Sequence, residues 1–241
     1  MKKVIISGVI EVITGLHIGS NEAEVRIGGL ENGVIKDKQG KPYIPGSSLK
    51  GKMRCLLEID AGKRDIVRDY TEPIGKLFGT GANNEDKDIK RSHLIVRDAN
   101  IKENKSDNIE YTELKTENVI NRKNGTAEHP RTIERVVKGT EFSFEFIFNS
   151  YYIDDKGKEE EIELLELLRD GMKLLEYDYL GGNGTRGYGQ IKFRDMKHNI
   201  IDFKQKNTQE ADNVQNTSNE DKGKQDINIF FKDLTNKLYR S

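Results

Sequence analysis

Between Thr140 and Leu175 the sequence carries two hydrophobic periods in succession, and together they leave little freedom in what the chain can fold into. In TEFSFEFIFNSYY, residues 140 to 152, Phe142, Phe144, Phe146 and Phe148 recur at every second position and so fall on one face of a strand. Ile162, Leu164, Leu165, Leu168, Met172 and Leu175 then recur at helical spacing and form one apolar stripe. A sheet with an apolar face needs a layer over that face, and this helix is predicted to pack across it. The four rings admit a second reading, an exposed platform on which bases stack as in RNA-recognition sheets. Such a face more commonly lies in a core, and we take that reading.

The remaining elements follow from the same patterns. KVIISGVIEVI, residues 3 to 13, is rich in β-branched residues and reads as a buried strand. Thr14 to Ser20 form a polar, glycine-bearing loop leading to Arg26, and residues 27 to 41 form a second loop with a brief extended piece at Val34 and Ile35. Pro45 and Gly46 then break the chain ahead of a helix that runs to about Asp60, with Ser47 or Ser48 predicted to cap it. HLIVRDANI, residues 93 to 101, reads as a strand, and QIKFRDMKHNIIDF, residues 190 to 203, as a last strand or pair of strands. The order strand, helix, two strands, helix, strand is the βαββαβ pattern of an α+β, ferredoxin-like fold, which RNA-recognition modules share.

Residues 1 to 203 are therefore assigned to one domain with insertions at about 62–92 and 102–138. The first insertion is polar and expected on the surface, with only IGKLFG at 74–79 looking anchored. Within the second, residues 109 to 137 read as a protruding hairpin with a polar tip at Lys123 to His129. After Lys204 apolar residues nearly vanish, so the chain is expected to be disordered there. The final INIFFKDLTNKLYRS is expected to form a turn or two of amphipathic helix and to fray.

The 241 residues are 34% hydrophobic and 34% charged, with a formal net charge of -1. Such a balance does not advertise a nucleic-acid binder, so any such site must be a local basic groove offset by acidic segments such as EEEIE at 159–163. Cys55 is the sole cysteine, which excludes an internal disulfide and a cysteine-cluster zinc site; we read it as a small core residue. The N-terminus enters a strand without the apolar block of a signal peptide, and no apolar run is long enough to span a bilayer. The expectation is a soluble, cytoplasmic protein with no membrane contact.

Three stretches carry chemistry suited to phosphate. The helix after Pro45 has no acidic residue before Glu58 and carries Lys50, Lys52 and Arg54 behind unpaired N–H groups and a positive dipole end. Gly46, Gly51 and Lys52 come close to a nucleotide phosphate loop, but Met53 stands where that loop needs Ser or Thr. Glycines at 181, 182, 184, 187 and 189 let backbone amides approach an anion, with Arg186 among them. His17 lies on the loop after the first strand, where it can contact phosphate or move a proton. The hairpin interleaves Lys115, Arg122, Lys123, Arg131, Arg135 and Lys138 with Glu113, Glu117, Glu128 and Glu134, a pattern that also fits a plain solvated arm. We expect the basic helix, the His17 loop and the Gly–Arg loop to converge on one trough that tracks a sugar-phosphate backbone.

TGLHIG at 14–19, IGGLENGVIKD at 27–37, PYIPGSSLKGKMRCLLE at 42–58 and YLGGNGTRGYGQI at 179–191, in this order, resemble the backbone RAMP subunit of type III-A CRISPR interference complexes, the Csm type. The resemblance covers Val4 to about Phe203. It implies an RNA-binding surface comprising His17, Arg26, Ser47, Ser48, Lys50, Lys52, Arg54, Gly184, Thr185 and Arg186. It further implies a thumb at 111–138 whose Lys115, Arg122, Arg131 and Arg135 meet phosphates, and a lid from the first insertion. The implied partners are CRISPR RNA, complementary target RNA, further copies stacked head to tail, and other Csm subunits including the large Cas-ten-type subunit.

Members that cut RNA carry an aspartate in a pattern resembling I-G-x-I-D, where this chain has Ile27, Gly28, Gly29, Leu30 and Glu31, a carboxylate one methylene longer. Asp37 matches the family's motif too, but not at the cutting position. Two readings stay open: an endoribonuclease that uses Glu31 with a divalent metal, Mg or Mn, or a structural RNA-binding subunit that has lost cleavage and needs no cofactor. Two others lie further off, a metal-free processing nuclease with His17 as general base and a small-molecule phosphate enzyme built on GSSLKGK.

Overall fold

The computed structural model describes residues 1–20, 33–80, 91–102, 110–151, 155–203 and 226–239. At its centre lies β1 (Lys2–Val12), which buries Val4, Ile6, Ile10 and Val12 on one face. It pairs antiparallel on one side with β7 (Glu141–Ser150), Ile6 facing Phe146 and Ile10 facing Phe142. On the other side it pairs with β8 (Ile191–Asp202), a single strand whose register shifts between Ser7 and Val9 of β1, where Asp195 takes a positive φ of 48°. β7 also pairs with β3 (Leu94–Val96) and β4 (Ala99–Ile101), and β2 (Tyr43–Ile44) adds to β4.

The order β8, β1, β7, β3, with α1 (Gly46–Asp60) after β1 and α3 (Asp155–Tyr177) after β7, is the ferredoxin-like arrangement. Phe142, Phe144, Phe146 and Phe148 are all buried, in one core with Leu49, Met53 and Leu57 of α1 and Leu164, Leu165, Leu168, Met172 and Leu175 of α3. Where the two helices meet, Gly171 admits Leu57: a Cβ there would stand 3.0 Å from the Leu57 Cδ1 atom. The other face of the sheet holds a row of Ile95, Ile147 and Ile5, with the ion pairs Glu11–Arg194 at 3.0 Å, Arg97–Glu145 at 2.6 Å and Lys102–Glu141 at 2.8 Å nearby. With its phenylalanines turned to the core, β7 provides no base-stacking platform.

Several local expectations change. The stretch 93–101 is two short strands, because the chain turns at Arg97 and Asp98 to bring the Asp98 carboxylate to the start of α1, where Oδ1 accepts the Gly46 N–H at 2.7 Å. Within the first insertion α2 (Pro73–Phe78) buries Ile74, Leu77 and Phe78 and packs against α3; residues 81–90 lie outside the described residues. Cys55 is exposed rather than in the core. The C-terminal segment is a packed helix over its described residues, longer than the turn or two expected: α4 (Ile227–Tyr239) buries Ile227, Phe230, Phe231, Leu234, Leu238 and Tyr239 against α3 and β8. Its end is tied down by the Tyr239 hydroxyl on Glu161 Oε2 at 3.1 Å and by Lys158 Nζ on the Tyr239 carbonyl at 3.0 Å. The run read as disordered, 204–225, lies outside the described residues.

The arm is a hairpin of β5 (Thr112–Ile120) and β6 (Ala127–Val136) that forms a sheet of its own. Reciprocal backbone bonds between Leu16 and Val136, at 3.1 and 2.7 Å, tie its base to the loop after β1. No helix among the described residues is long and apolar enough to cross a membrane.

Candidate nucleic-acid interface

The loop after β1 and the glycine loop before β8 are bonded to each other along their backbones. Gly182 donates to the His17 carbonyl at 2.8 Å and Gly189 to the Gly15 carbonyl at 3.0 Å. Gly181, at a φ of 77°, must be glycine, since a Cβ would lie 2.2 Å from the His17 oxygen. His17 Nδ1 donates to the Glu134 carbonyl of β6 at 2.7 Å, so in the neutral ring Nε2 is the nitrogen left to accept a proton. The Glu134 side chain holds the extended segment at Val34–Lys36, accepting the Val34 N–H at 3.0 Å and Lys36 Nζ at 2.6 Å. Burial pushes that carboxyl up, but these bonds outweigh it and hold the group below the usual carboxylate range.

Lys52 joins the same loops from α1. Its Nζ lies 2.8 Å from Asp178 Oδ2 and 3.8 Å from the centre of the Tyr179 ring. That ring sits against Gly184, where a Cβ would fall 1.9 Å from the Tyr179 Cγ atom. Gly184, Thr185 and Arg186 form a short 3-10 turn, with Thr185 and Arg186 exposed.

The hairpin supplies the third side. Tyr188 is buried, with Lys115 Nζ 4.5 Å and Arg135 Cζ 5.0 Å from its ring centre and its hydroxyl donating to Glu117 Oε1 at 2.9 Å. Glu117 also meets Arg131 at 3.2 Å, Lys115 at 3.5 Å and Arg186 at 3.9 Å, while Arg135 pairs with Glu113 at 2.7 Å. Gly15 makes room for Arg135, whose Cδ would be 2.4 Å from a Cβ at that position. His17, Lys52, Lys115, Arg131, Arg135, Gly184, Thr185 and Arg186 thus occupy one connected neighbourhood.

Other expected residues lie elsewhere. Lys50 turns away, donating to Ser92 Oγ at 3.1 Å and the Leu94 carbonyl at 3.0 Å; burial, with the nearby Arg54 charge, lowers its pKa from the ordinary 10.5. Arg54 is engaged by Glu58 at 2.9 Å, by the Gly79 carbonyl at 3.0 Å and by the Val67 carbonyl. The predicted serine cap is absent: Pro45 is the N-cap, and neither exposed Ser47 nor half-buried Ser48 bonds the helix end through its side chain. The Asp98 carboxylate stands instead where an anion was expected, for a physical reason the local sequence cannot show, since it comes from 52 residues away. Arg122 is exposed in the turn at the far end of the hairpin.

Arg26 and Glu31 lie outside the described residues. The ends of their segment are closed by Ser20 donating to the Gly33 carbonyl at 3.2 Å, beside His17. Among the described residues no group of three His, Cys, Asp or Glu side chains stands close enough to hold a metal ion. Tyr179, Tyr188 and Glu117 were not singled out from sequence as site residues. The available signal was the pair of tyrosines bracketing the glycines of YLGGNGTRGYG.

A family model of the RAMP superfamily matches residues 9–192. Proteins named CRISPR system Cms endoribonuclease Csm3 are similar along most of the chain. The one from Methanocaldococcus jannaschii is 48% identical over 81% of this chain and 80% of its own, and that from Streptococcus thermophilus 43% identical over 83% and 90%. The chain belongs to the Csm3 family of the RAMP superfamily. Membership agrees with the resemblance carried by the four motifs. A crystal structure of a Csm3–Csm4 subcomplex in the type III-A CRISPR-Cas interference complex aligns with a TM-score of 0.60 and 33% identity, over 97% of this chain and 95% of that one. A type III-B Cmr-beta complex bound to cognate target RNA has a chain that aligns with a TM-score of 0.56 at 18% identity, over 82% of this chain and 61% of that one, a likeness of fold.

Proposed function

We propose that this chain is a CRISPR RNA-binding backbone subunit of a type III-A effector ribonucleoprotein, working in the cytoplasm in antiviral defence. The observation that carries the reading is the meeting of the His17 loop, Lys52, the glycine loop and the hairpin base at one place. Backbone amides and fixed cations from three segments suit a single-stranded sugar-phosphate backbone, and such contacts position RNA while base pairing carries sequence. The hairpin acts as the thumb and the α2 region as the lid, and copies stack head to tail along the guide beside other Csm subunits. Assembly with another Csm protein is supported by the Csm3–Csm4 structure to which the chain is similar. The Asp98 carboxylate at the first N–H of α1 speaks against a nucleotide phosphate there.

The relatives are named endoribonucleases, which favours target cutting from the Glu31 loop over a purely structural role. In-line attack by a ribose 2′-hydroxyl needs the attacking oxygen, phosphorus and leaving oxygen aligned, and an error of about 1 Å costs on the order of a hundredfold in rate. The test is a reconstituted complex given complementary RNA and Mg or Mn. Glu31→Ala is expected to lower the cutting rate by roughly a hundredfold or more, and Glu31→Asp to keep or raise it. Equal cutting by wild type and Glu31→Ala removes Glu31 from the reaction.

A further inference from the structure

Glu117 stands inside the basic cluster rather than at its rim. Its side chain is 16% exposed, whereas those of Lys115, Arg131 and Arg186 are 37%, 47% and 55% exposed. Beneath it lies Tyr188, 1% exposed, whose hydroxyl reaches Glu117 Oε1 at 2.9 Å. The layers therefore run from the tyrosine ring, through the carboxylate, to cations facing solvent. A carboxylate so placed sits behind the cations and leaves their outer N–H groups open to a ligand, since a guanidinium has five donors and gives Glu117 only part of them. The Tyr188 bond is the main cause that draws the Glu117 carboxyl below its usual range, while burial and then that bond push the phenol up. At neutral pH the pair is a carboxylate and a phenol.

We propose that Tyr188 and Glu117 are a positioning pair: the hydroxyl holds the carboxylate, and the carboxylate holds Lys115, Arg131 and Arg186 as a fork that receives one RNA phosphate from the solvent side. The inference rests on the RNA-binding reading of this surface. It differs from the obvious alternative, that Glu117 is a like charge competing with the phosphate, and the two predict opposite signs. If Glu117 positions, neutralising it loosens the fork and weakens binding. If it competes, neutralising it strengthens binding.

The experiment measures binding of the full chain to a labelled single-stranded oligouridylate at fixed salt. Tyr188→Phe, which changes no charge, and Glu117→Gln are each expected to weaken binding about fivefold, and the double variant no more than the worse single. In an Arg131→Ala, Arg186→Ala background, where Lys115 alone is left of the fork, Tyr188→Phe is expected to make a clearly smaller difference. Tighter binding by Glu117→Gln, or unchanged binding by Tyr188→Phe, overturns the proposal. So does an equal loss from Tyr188→Phe in both backgrounds, which would mark a general structural effect. Should Arg131→Ala, Arg186→Ala bind as tightly as wild type, the RNA reading of this surface fails; if that variant weakens while Tyr188→Phe does not, only the positioning pair fails.

Discussion

Lys50 and Lys52 stand two positions apart, and a helix turns by roughly 200° over that interval. The buried stripe of α1 runs through Leu49, Met53 and Leu57, so Lys50 and Arg54 flank it on one side and Lys52 on the other. One flank faces Ser92 and Gly79, the other Asp178 and Tyr179. Lys52→Met is therefore expected to weaken RNA binding by about 1 kcal/mol, roughly fivefold, while Lys50→Met leaves it within about twofold. Affinity measurements on both variants check this; equal losses would show that the flanks do not divide as described. Lys50 should instead register in stability. Its pKa is lowered in the fold, so between that value and 10.5 the unfolded chain binds more protons, and stability rises with pH through the window. The raised phenols of Tyr70 and Tyr188 act in the opposite direction at alkaline pH, so the check is a difference: denaturant titrations should show the wild type gaining stability relative to Lys50→Met as pH rises through the window.

At the level of elements, what was legible followed from periodicity. β7 and α3 carry unbroken apolar patterns and β1 one interrupted only at Gly8, and their burial follows from the pattern alone. The break between β3 and β4 was not legible, because it serves a bond between Asp98 and Gly46, distant in sequence. The docking of α4 is hidden for a related reason: its six buried side chains are visible as an amphipathic segment, but the surface they cover belongs to α3 and β8. For the site, motif order located the loops, yet orientation about α1 and the Tyr188–Glu117 contact needed coordinates. Leu234, fully buried in α4, tests whether the docking contributes to the fold. Leu234→Ala is expected to lower unfolding free energy by about 2–5 kcal/mol, read from a denaturant midpoint. RNA affinity well below the transition should not move, because α4 packs on α3 and β8 rather than on the glycine loop. A cost within about 0.5 kcal/mol, the range of surface substitutions, would mean the helix rests on the core without contributing to its stability.

Across the whole molecule, positive and negative charges nearly cancel, with a net charge of -1, and many are spent on one another, as in Glu11–Arg194 and Lys102–Glu141. Long-range attraction of an RNA strand by net charge is therefore absent, and binding has to come from where cations are held close together. In a stacked assembly the same balance lets an acidic surface of one copy face a basic surface of the next, which a strongly basic subunit would not permit. The salt dependence of RNA binding measures how local the attraction is. Each phosphate neutralised on a single strand contributes a slope of about -0.7 in log affinity against log salt. If the fork of Lys115, Arg131 and Arg186 engages one phosphate and Lys52 another, the slope is about -1.4, and affinity falls roughly sevenfold between 50 and 200 mM salt. Removing Arg131 and Arg186 together should make the slope shallower by about 0.7. A slope that stays the same in that variant would place the binding charge elsewhere on the surface, because counterions released by RNA are counted wherever they are displaced.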